Sequence, residues 1–293
     1  MVTKQRLCGV PILLIVALGS FGTAGEAVAD DRDGTPFRRM PVVYIENRGQ
    51  LDARVRYYQT AKNATLYFTP GGVTIAQTDG AQRWAVKMDF LGANPVTPIG
   101  RRLTEAIISY FKGPEKDWKA GLPTYSEVVY PNLWPGIDLV YSGEDGHTKY
   151  SFLVAADADP RRIRIGYRGA TEVGVNGVGE LTVIIPTGGF GEEQPYAYQN
   201  IAGQRRNIAT AFQVRPDELS GTHVLAFAVD NYDRSQPLTI DPTITIYGGD
   251  VDETGEGHGV AFDERGSAYL AGFTVTGWSS FPIDPGFDLS FND

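Results

Sequence analysis

The stretch RWAVKMDF at residues 83–90 decides the fold class, because its apolar and polar side chains alternate along the chain. The apolar positions are Trp84, Val86, Met88 and Phe90, and the polar ones are Arg83, Lys87 and Asp89. Successive side chains of a β-strand point to opposite faces of its sheet, so this pattern predicts a strand with one buried and one solvated face.

The same alternation recurs at residues 162–167, 181–185 and 225–229, and turn-forming clusters separate these segments at 70–72, 143–146, 186–189 and 230–231. No window longer than about ten residues keeps a convincing helical period. Residues 104–111 fit a helix and a strand equally well. Regularly spaced short strands are typical of antiparallel sandwiches and barrels. We therefore predict an all-β fold with an antiparallel, β-sandwich-like main domain over residues 42–243.

Composition agrees with a folded β protein and excludes one class of partner. The 293 residues are 42% hydrophobic and 21% charged, with 35 Gly, 18 Pro, 15 Tyr and 14 Phe. Turn formers and strand formers are thus both abundant. The formal net charge of −9 lacks the basic footprint that binding to a phosphate backbone requires. Nucleic acid is therefore not an expected partner.

The N-terminus has the three parts of a secretory signal peptide. Lys4 and Arg6 precede an apolar run over residues 7–21, and Ala27-Val-Ala29 forms an A-x-A cleavage site. The run of about 15 residues is short of the ~20 that a membrane span needs. We predict a signal peptide at 1–29 cleaved after Ala29, a flexible leader at 30–41, and a secreted or cell-surface protein without a transmembrane span.

Cleavage would also remove Cys8, the only cysteine, so the mature chain would hold no disulfide. Its stability must then come from its hydrophobic core.

The pattern of strand-forming and turn-forming residues changes after Asp241-Pro242. Residues 244–249 read as a strand, an acidic and Gly-rich turn follows, and residues 260–274 read as strand, Asp-x-x-Gly hairpin and strand. This pattern is typical of one β-propeller blade. We predict that residues 244–293 begin an incomplete propeller repeat. Since a blade buries its faces against neighbours, we expect that the sequence is a fragment or that the gene is truncated.

Two regions of the chain resemble one bacterial family. The marks are Glu46-Asn-Arg-Gly-Gln50, Val55-Arg-Tyr-Tyr58, Tyr130-Pro-Asn-Leu-Trp-Pro-Gly-Ile-Asp-Leu-Val-Tyr141, Ala158-Asp-Pro-Arg-Arg-Ile163, Leu238-Thr-Ile-Asp-Pro242 and Gly266-Ser-Ala-Tyr-Leu-Ala-Gly-Phe-Thr274. They are similar to proteins that carry SBBP (β-propeller) repeats behind an N-terminal DUF7948 domain of unknown function. The resemblance implies an extracellular β-rich module ahead of a propeller, and it brings no established catalytic residues.

No known catalytic pattern stands out in the sequence. The histidines His147, His223 and His258 lack the spacing of metal pairs, and no G-x-S-x-G elbow or P-loop is present. Among the carboxylates, Glu192-Glu193 are neighbours that face opposite sides of a strand, and Glu144-Asp145 lie in a predicted turn. We therefore predict that the protein is not an enzyme.

One short stretch is a weak candidate for a calcium site. Asp250, Asp252 and Thr254 place oxygen ligands at alternate positions before Gly255, as in the first half of a calcium loop. The twelfth position is Ala261 rather than a bidentate Glu, so an EF-hand is excluded. The alternative is a solvated turn between strands.

Eight aromatic residues are candidates for a carbohydrate-binding platform, since flat rings stack on sugars. They are Tyr57, Tyr58, Tyr67, Tyr110, Trp118, Trp134, Tyr196 and Tyr198. Core packing and cross-strand pairing are the favoured alternative for such residues in a β-sandwich. The leading hypothesis is a structural or interaction module whose partner is an unknown surface or extracellular protein or glycan. The second is a carbohydrate-binding or polysaccharide-active protein.

Overall fold

The computed structural model describes residues 41–61, 64–79, 82–111, 114–144, 147–186, 188–217 and 222–247, and the backbone of three further strands at 14–17, 255–262 and 268–274. Throughout these ranges the regular structure is β, apart from two short 3₁₀ turns at Glu115–Asp117 and Pro160–Arg162.

The strands are β1 (Leu14–Ala17), β2 (Tyr44–Glu46), β3 (Tyr57–Thr60), β4 (Ala64–Thr69), β5 (Gly72–Asp79), β6 (Gln82–Phe90), β7 (Ile99–Tyr110), β8 (Lys119–Trp134), β9 (Ile137–Glu144), β10 (His147–Val154), β11 (Ile165–Arg168), β12 (Glu172–Val175), β13 (Leu181–Ile185), β14 (Gly188–Glu192), β15 (Tyr196–Ile201), β16 (Gln204–Ile208), β17 (Thr210–Asp217), β18 (Thr222–Val229), β19 (Leu238–Asp241), β20 (Thr243–Tyr247), β21 (Gly255–Phe262) and β22 (Ala268–Thr274).

Every strand pairing in these ranges is antiparallel, which confirms the predicted all-β antiparallel class. Strands β1–β20 form one sheet system and β21–β22 a separate hairpin. The main path runs β17-β18-β11-β6-β5-β4-β3-β2-β8-β9-β10. The ambiguous segment 104–111 lies largely in β7, so its strand interpretation is the correct one.

The sheet divides at β10, and this division positions the candidate sites. Residues 152–154 of β10 pair with β19, which continues to β15 and β16. Residues 148–149 pair with β20, which continues to β14, β13 and β12. We call β12, β13, β14 and β20 the β14 branch.

The stretch at 83–90 lies in β6 and has the predicted two faces. Val86 and Met88 are fully buried in the main hydrophobic core. On the outer face, the Asp89 carboxylate lies 2.9 Å from Nζ of Lys87 and 2.8 Å from the guanidinium of Arg168 on the neighbouring strand. One large core collects the inward side chains of both halves of the sheet system, and a smaller cluster surrounds Ile45 and Tyr58.

The sheet continues past the predicted boundary at Asp241-Pro242. Strand β20 pairs with both β10 and β14, and its Ile244 is 1% exposed in the main core. Strand β1 lies inside the predicted signal peptide and pairs with residues 107–110 of β7. Cleavage after Ala29 stays a prediction. It would remove β1 and leave this edge of β7 without its paired strand. Among the described residues no helix is long and apolar enough to cross a membrane.

Candidate functional site

A buried acid surrounded by tyrosines is the most unusual chemical feature of the core. Glu192 at the end of β14 is 1% exposed, and its carboxyl group accepts two hydrogen bonds from tyrosine hydroxyls. The Tyr150 hydroxyl donates to Oε2 at 2.5 Å, and the Tyr167 hydroxyl donates to Oε1 at 2.9 Å. We call Glu192, Tyr141, Tyr150 and Tyr167 the Glu192 cluster.

The register of β14 explains why this carboxyl group lies inside. Glu192 is in phase with the buried Phe190, and its direct cross-strand neighbours are Leu181 on β13 and Ile244 on β20. Both neighbours are apolar core residues. The adjacent Glu193 is exposed, so the two carboxyl groups do not converge.

Burial controls the ionisation of this cluster. Loss of solvent raises the Glu192 pKa to about 7, although the hydrogen bonds from Tyr150 and Tyr167 act in the opposite direction. Burial also raises the pKa values of Tyr150 and Tyr167, and the negative charge of Glu192 adds to this. The Tyr141 hydroxyl is buried, and the structure shows no hydrogen-bond partner for it within the described part of the chain. All four side chains of the cluster lie inside the core, at 1% exposure or less.

An exposed aromatic and polar surface lies on the hairpin β15–β16. The rings of Tyr196 and Tyr198 are 5.6 Å apart at an interplanar angle of 35°. The guanidinium carbon of Arg205 lies 4.0 Å from the centre of the Tyr198 ring, and the Tyr196 hydroxyl donates to Oδ1 of Asn207. We call Tyr196, Tyr198, Arg205 and Asn207 the hairpin face.

A charged group adjoins the hairpin face across β19. Asp241 is the cross-strand neighbour of Tyr196, and it lies 2.9 Å from Nζ of Lys149 and accepts a 2.7 Å hydrogen bond from Ser151. Lys149 also lies 2.7 Å from Glu144. Burial lowers the Lys149 pKa, but its bonds to Glu144 and Asp241 outweigh that effect and raise it. The raised pKa keeps Lys149 in its charged form near neutral pH.

The structure does not bring the eight candidate aromatic residues together. Tyr58, Tyr67 and Trp134 are buried in the two cores. Tyr57 and Tyr110 are half-buried against those cores, and the exposed Trp118 packs on Phe111 with ring centres 5.1 Å apart. Within the set, Tyr196 and Tyr198 alone lie side by side on one outer face, where Tyr196 is exposed and Tyr198 is half-buried. A platform of eight rings is thus wrong, and a two-ring site is what remains.

The calcium candidates Asp250, Asp252 and Thr254 lie outside the described residues, so that site stays a prediction. Across the part of the chain that is described, no group of three His, Cys, Asp or Glu side chains is arranged to hold a metal ion.

The stretches that carry the family resemblance build turns. In the first, the Asn47 side-chain amide donates to the carbonyl oxygens of Asp52 at 2.8 Å and Val55 at 2.9 Å, and its Oδ1 accepts from the backbone of Gly49 and Leu51. A single asparagine therefore closes the loop between β2 and β3.

The long stretch at 130–141 folds back in the same manner. The Asn132 backbone donates to the Asp138 carboxylate at 2.7 Å, and Gly136 donates to the Asn132 side chain at 2.8 Å. This turn directs Trp134 into the core, where its indole nitrogen donates to the Leu91 carbonyl at 3.0 Å. Both motifs thus close turns, and the second also contributes to the core.

Comparison with known proteins identifies the family of the chain. The model of the DUF7948 family, described as a domain of unknown function, matches residues 44–243. No curated protein and no solved structure matches the chain. Since the match covers more than half of the sequence, the chain belongs to the DUF7948 family.

Proposed function

We propose that the protein is a secreted or cell-surface interaction module without catalytic activity, with a β-sandwich-like DUF7948 domain that presents a binding surface. The hairpin face carries this proposal. It combines two tyrosine rings, a guanidinium group and an amide on the outer side of a sheet whose inner side is a large core. Aromatic residues and arginine are the side chains enriched where proteins bind partners.

The partner in this proposal is another surface protein. Arg205 covers the ring of Tyr198, and a planar guanidinium stacked on tyrosine is a common arrangement at protein interfaces. The neighbouring Lys149 and Asp241 add a charged rim. A polar rim around aromatic side chains is the usual anatomy of such a surface.

Site-specific photocrosslinking in the producing cells tests the interaction. A photoreactive residue at Asn200, which is exposed on β15, should capture a defined protein. The matched control position is Val178, which is 68% exposed on a different hairpin. An adduct that forms from position 200, and is lost with Tyr196→Ala/Tyr198→Ala, supports the proposal. Equal labelling from both positions, or no labelling from either, contradicts it.

Carbohydrate binding is the second candidate, because Tyr196 is 39% exposed and has an amide and a carboxylate close by. Stacking of a sugar on Tyr198 would require Arg205 to move, which disfavours this candidate. A glycan array and hydrolysis assays with common polysaccharides discriminate the two. Binding that Tyr196→Ala abolishes and Trp118→Ala leaves unchanged would favour the carbohydrate candidate. Turnover that a single carboxylate substitution abolishes would exclude the non-enzymatic proposal.

We also propose that the chain after β20 begins a propeller repeat of the SBBP type. Strands β21 and β22 pair as an antiparallel hairpin in a sheet of their own, which is consistent with the start of a blade. Because β20 belongs to the main sheet, limited proteolysis should leave a resistant fragment that ends just after Tyr247. Equal protection of residues 255–274 would contradict the division.

A further inference from the structure

We propose that Glu192 is a proton-dependent latch: the protonated side chain holds the β14 branch against β10 and β11, and loss of the proton loosens that branch. The proposal is independent of the ligand of the hairpin face.

The geometry places Glu192 where three strands meet. Its two oxygen atoms bond to Tyr150 on β10 and to Tyr167 on β11, which are 42 and 25 residues away in the sequence. Strand β11 belongs to the path through β6 and β18, whereas β14 belongs to the branch through β20. The carboxyl group therefore connects two parts of the sheet system that no backbone pairing of β14 joins directly.

Among the described residues, the groups that face Glu192 offer hydrogen bonds and no positive charge. Tyr150 and Tyr167 are its two partners, and Leu181 and Ile244 flank it from the paired strands. Tyr141 from β9 packs beside Tyr150 with ring centres 5.5 Å apart. The two hydroxyl donors favour the ionised carboxylate, but they do not replace its lost hydration, so the charged form is costly in these apolar surroundings and the neutral acid is not.

The sign of the effect follows from the pKa of Glu192, which is about 7 in the folded chain and 4.5 as its ordinary value. A raised carboxyl pKa means that the folded state holds its proton more tightly than the unfolded state. This contribution to stability is complete below about pH 4.5 and is lost as the pH rises towards 7. The difference of about 2.5 pKa units corresponds to a ~300-fold decrease in the folding equilibrium constant.

Loosening of the β14 branch would reach two outer regions. Four residues after Glu192 the chain enters the hairpin face at Tyr196, and β20 leads into the proposed repeat. A change of pH near neutrality would therefore reach the hairpin face and the segment after β20, and its effect on partner binding rests on the proposed function.

Unfolding in urea between pH 4.5 and 8.5 tests the latch on the secreted chain. The ratio of the folding constants of the wild type and Glu192→Gln should fall about 150-fold across this range, because glutamine imitates the neutral acid and half of the unfolded chains are already ionised at pH 4.5. Above pH 7 the variant should be the more stable protein. Glu193→Gln changes the exposed neighbour and should follow the wild-type profile. Parallel profiles for the wild type and Glu192→Gln would overturn the proposal.

Hydrogen exchange on the unaltered protein provides a second test if Glu192→Gln fails to fold. Protection of the β14 and β20 amides should fall as the pH rises through 7, after correction for intrinsic exchange rates, while β4 and β5 stay protected. Equal loss of protection in all four strands, or constant protection in β14 and β20, would overturn the proposal.

Discussion

Tyr150 and Tyr167 in the Glu192 cluster differ from Tyr196 and Tyr198 on the hairpin face in what surrounds their hydroxyl groups. The first two are fully buried and donate to a carboxyl group that is itself only 1% exposed. Tyr196 also donates to an oxygen atom, that of Asn207, but its own side chain is 39% exposed. The same donor thus serves two regions with very different access to solvent.

This difference shows where a tyrosine hydroxyl controls stability. A buried group that loses its partner pays the full cost of its lost hydration, whereas an exposed group replaces the partner with water. We therefore expect the Glu192 cluster to govern folding and the hairpin face to be nearly free of folding constraints. A surface of that kind is available for binding.

The largest expected effect comes from the backbone that carries the Glu192 cluster. Gly189 on β14 has a φ of +141°, and a Cβ atom there would lie 2.1 Å from the Val183 carbonyl oxygen. Gly189→Ala should lower the free energy of unfolding by at least ~3 kcal/mol, because the backbone of β13 must shift. Urea unfolding monitored by circular dichroism measures this change.

Gly177→Ala is the matched control, since a Cβ atom at Gly177 would meet nothing within 4 Å. It should change the free energy of unfolding by no more than ~0.5 kcal/mol. If both variants behave alike, the close approach of β14 to β13 is not required for the fold.

The next prediction compares the loss of one tyrosine hydroxyl group in the Glu192 cluster with the loss of one on the hairpin face. Tyr167→Phe leaves Glu192 with one tyrosine donor, and should lower the free energy of unfolding by about 1–3 kcal/mol. It should also raise the Glu192 pKa further, because the hydrogen bond from Tyr167 lowers it. Tyr196→Phe on the hairpin face should cost at most ~0.5 kcal/mol. Denaturation curves at pH 5 and pH 8 measure both variants, and equal costs would remove the distinction between the two regions.

The sequence predicts the strands well because alternation is a local property. The faces of residues 83–90 follow directly from it. By contrast, Gly188 and Gly189 belong to a predicted turn but lie in the strand Gly188–Glu192, where Glu192 is in phase with Phe190. That phase was the available signal for the buried acid. Alternation separates Glu192 from Glu193 but does not say which of them faces the core.

Pairing between strands that are distant in the sequence decides which face of a strand is buried, and alternation alone does not determine this. Glu192 is enclosed because Leu181 and Ile244 flank it, and Ile244 is 52 residues away in a strand beyond the predicted boundary. For the tyrosines too, the local pattern does not tell which side chains are buried. Tyr58 and Tyr196 occupy similar strand patterns, yet the first is covered by the smaller core and the second is left exposed.

The smallest expected effect concerns Arg205, and it tests whether the hairpin face is free of folding constraints. Its guanidinium group lies 4.0 Å from the centre of the Tyr198 ring, and its side chain is exposed. A cation–π contact at an exposed site contributes about 0.5–1 kcal/mol, so Arg205→Ala should lower the free energy of unfolding by no more than that. Arg206→Ala, its exposed neighbour, is the control and should be close to neutral. Arg205→Ala should also weaken capture of the protein partner through position 200. A carbohydrate ligand should instead bind more tightly, because the substitution uncovers the Tyr198 ring. A cost of 2 kcal/mol or more would mean that this stacked pair supports the fold, and that the hairpin face resembles the Glu192 cluster more than a binding surface.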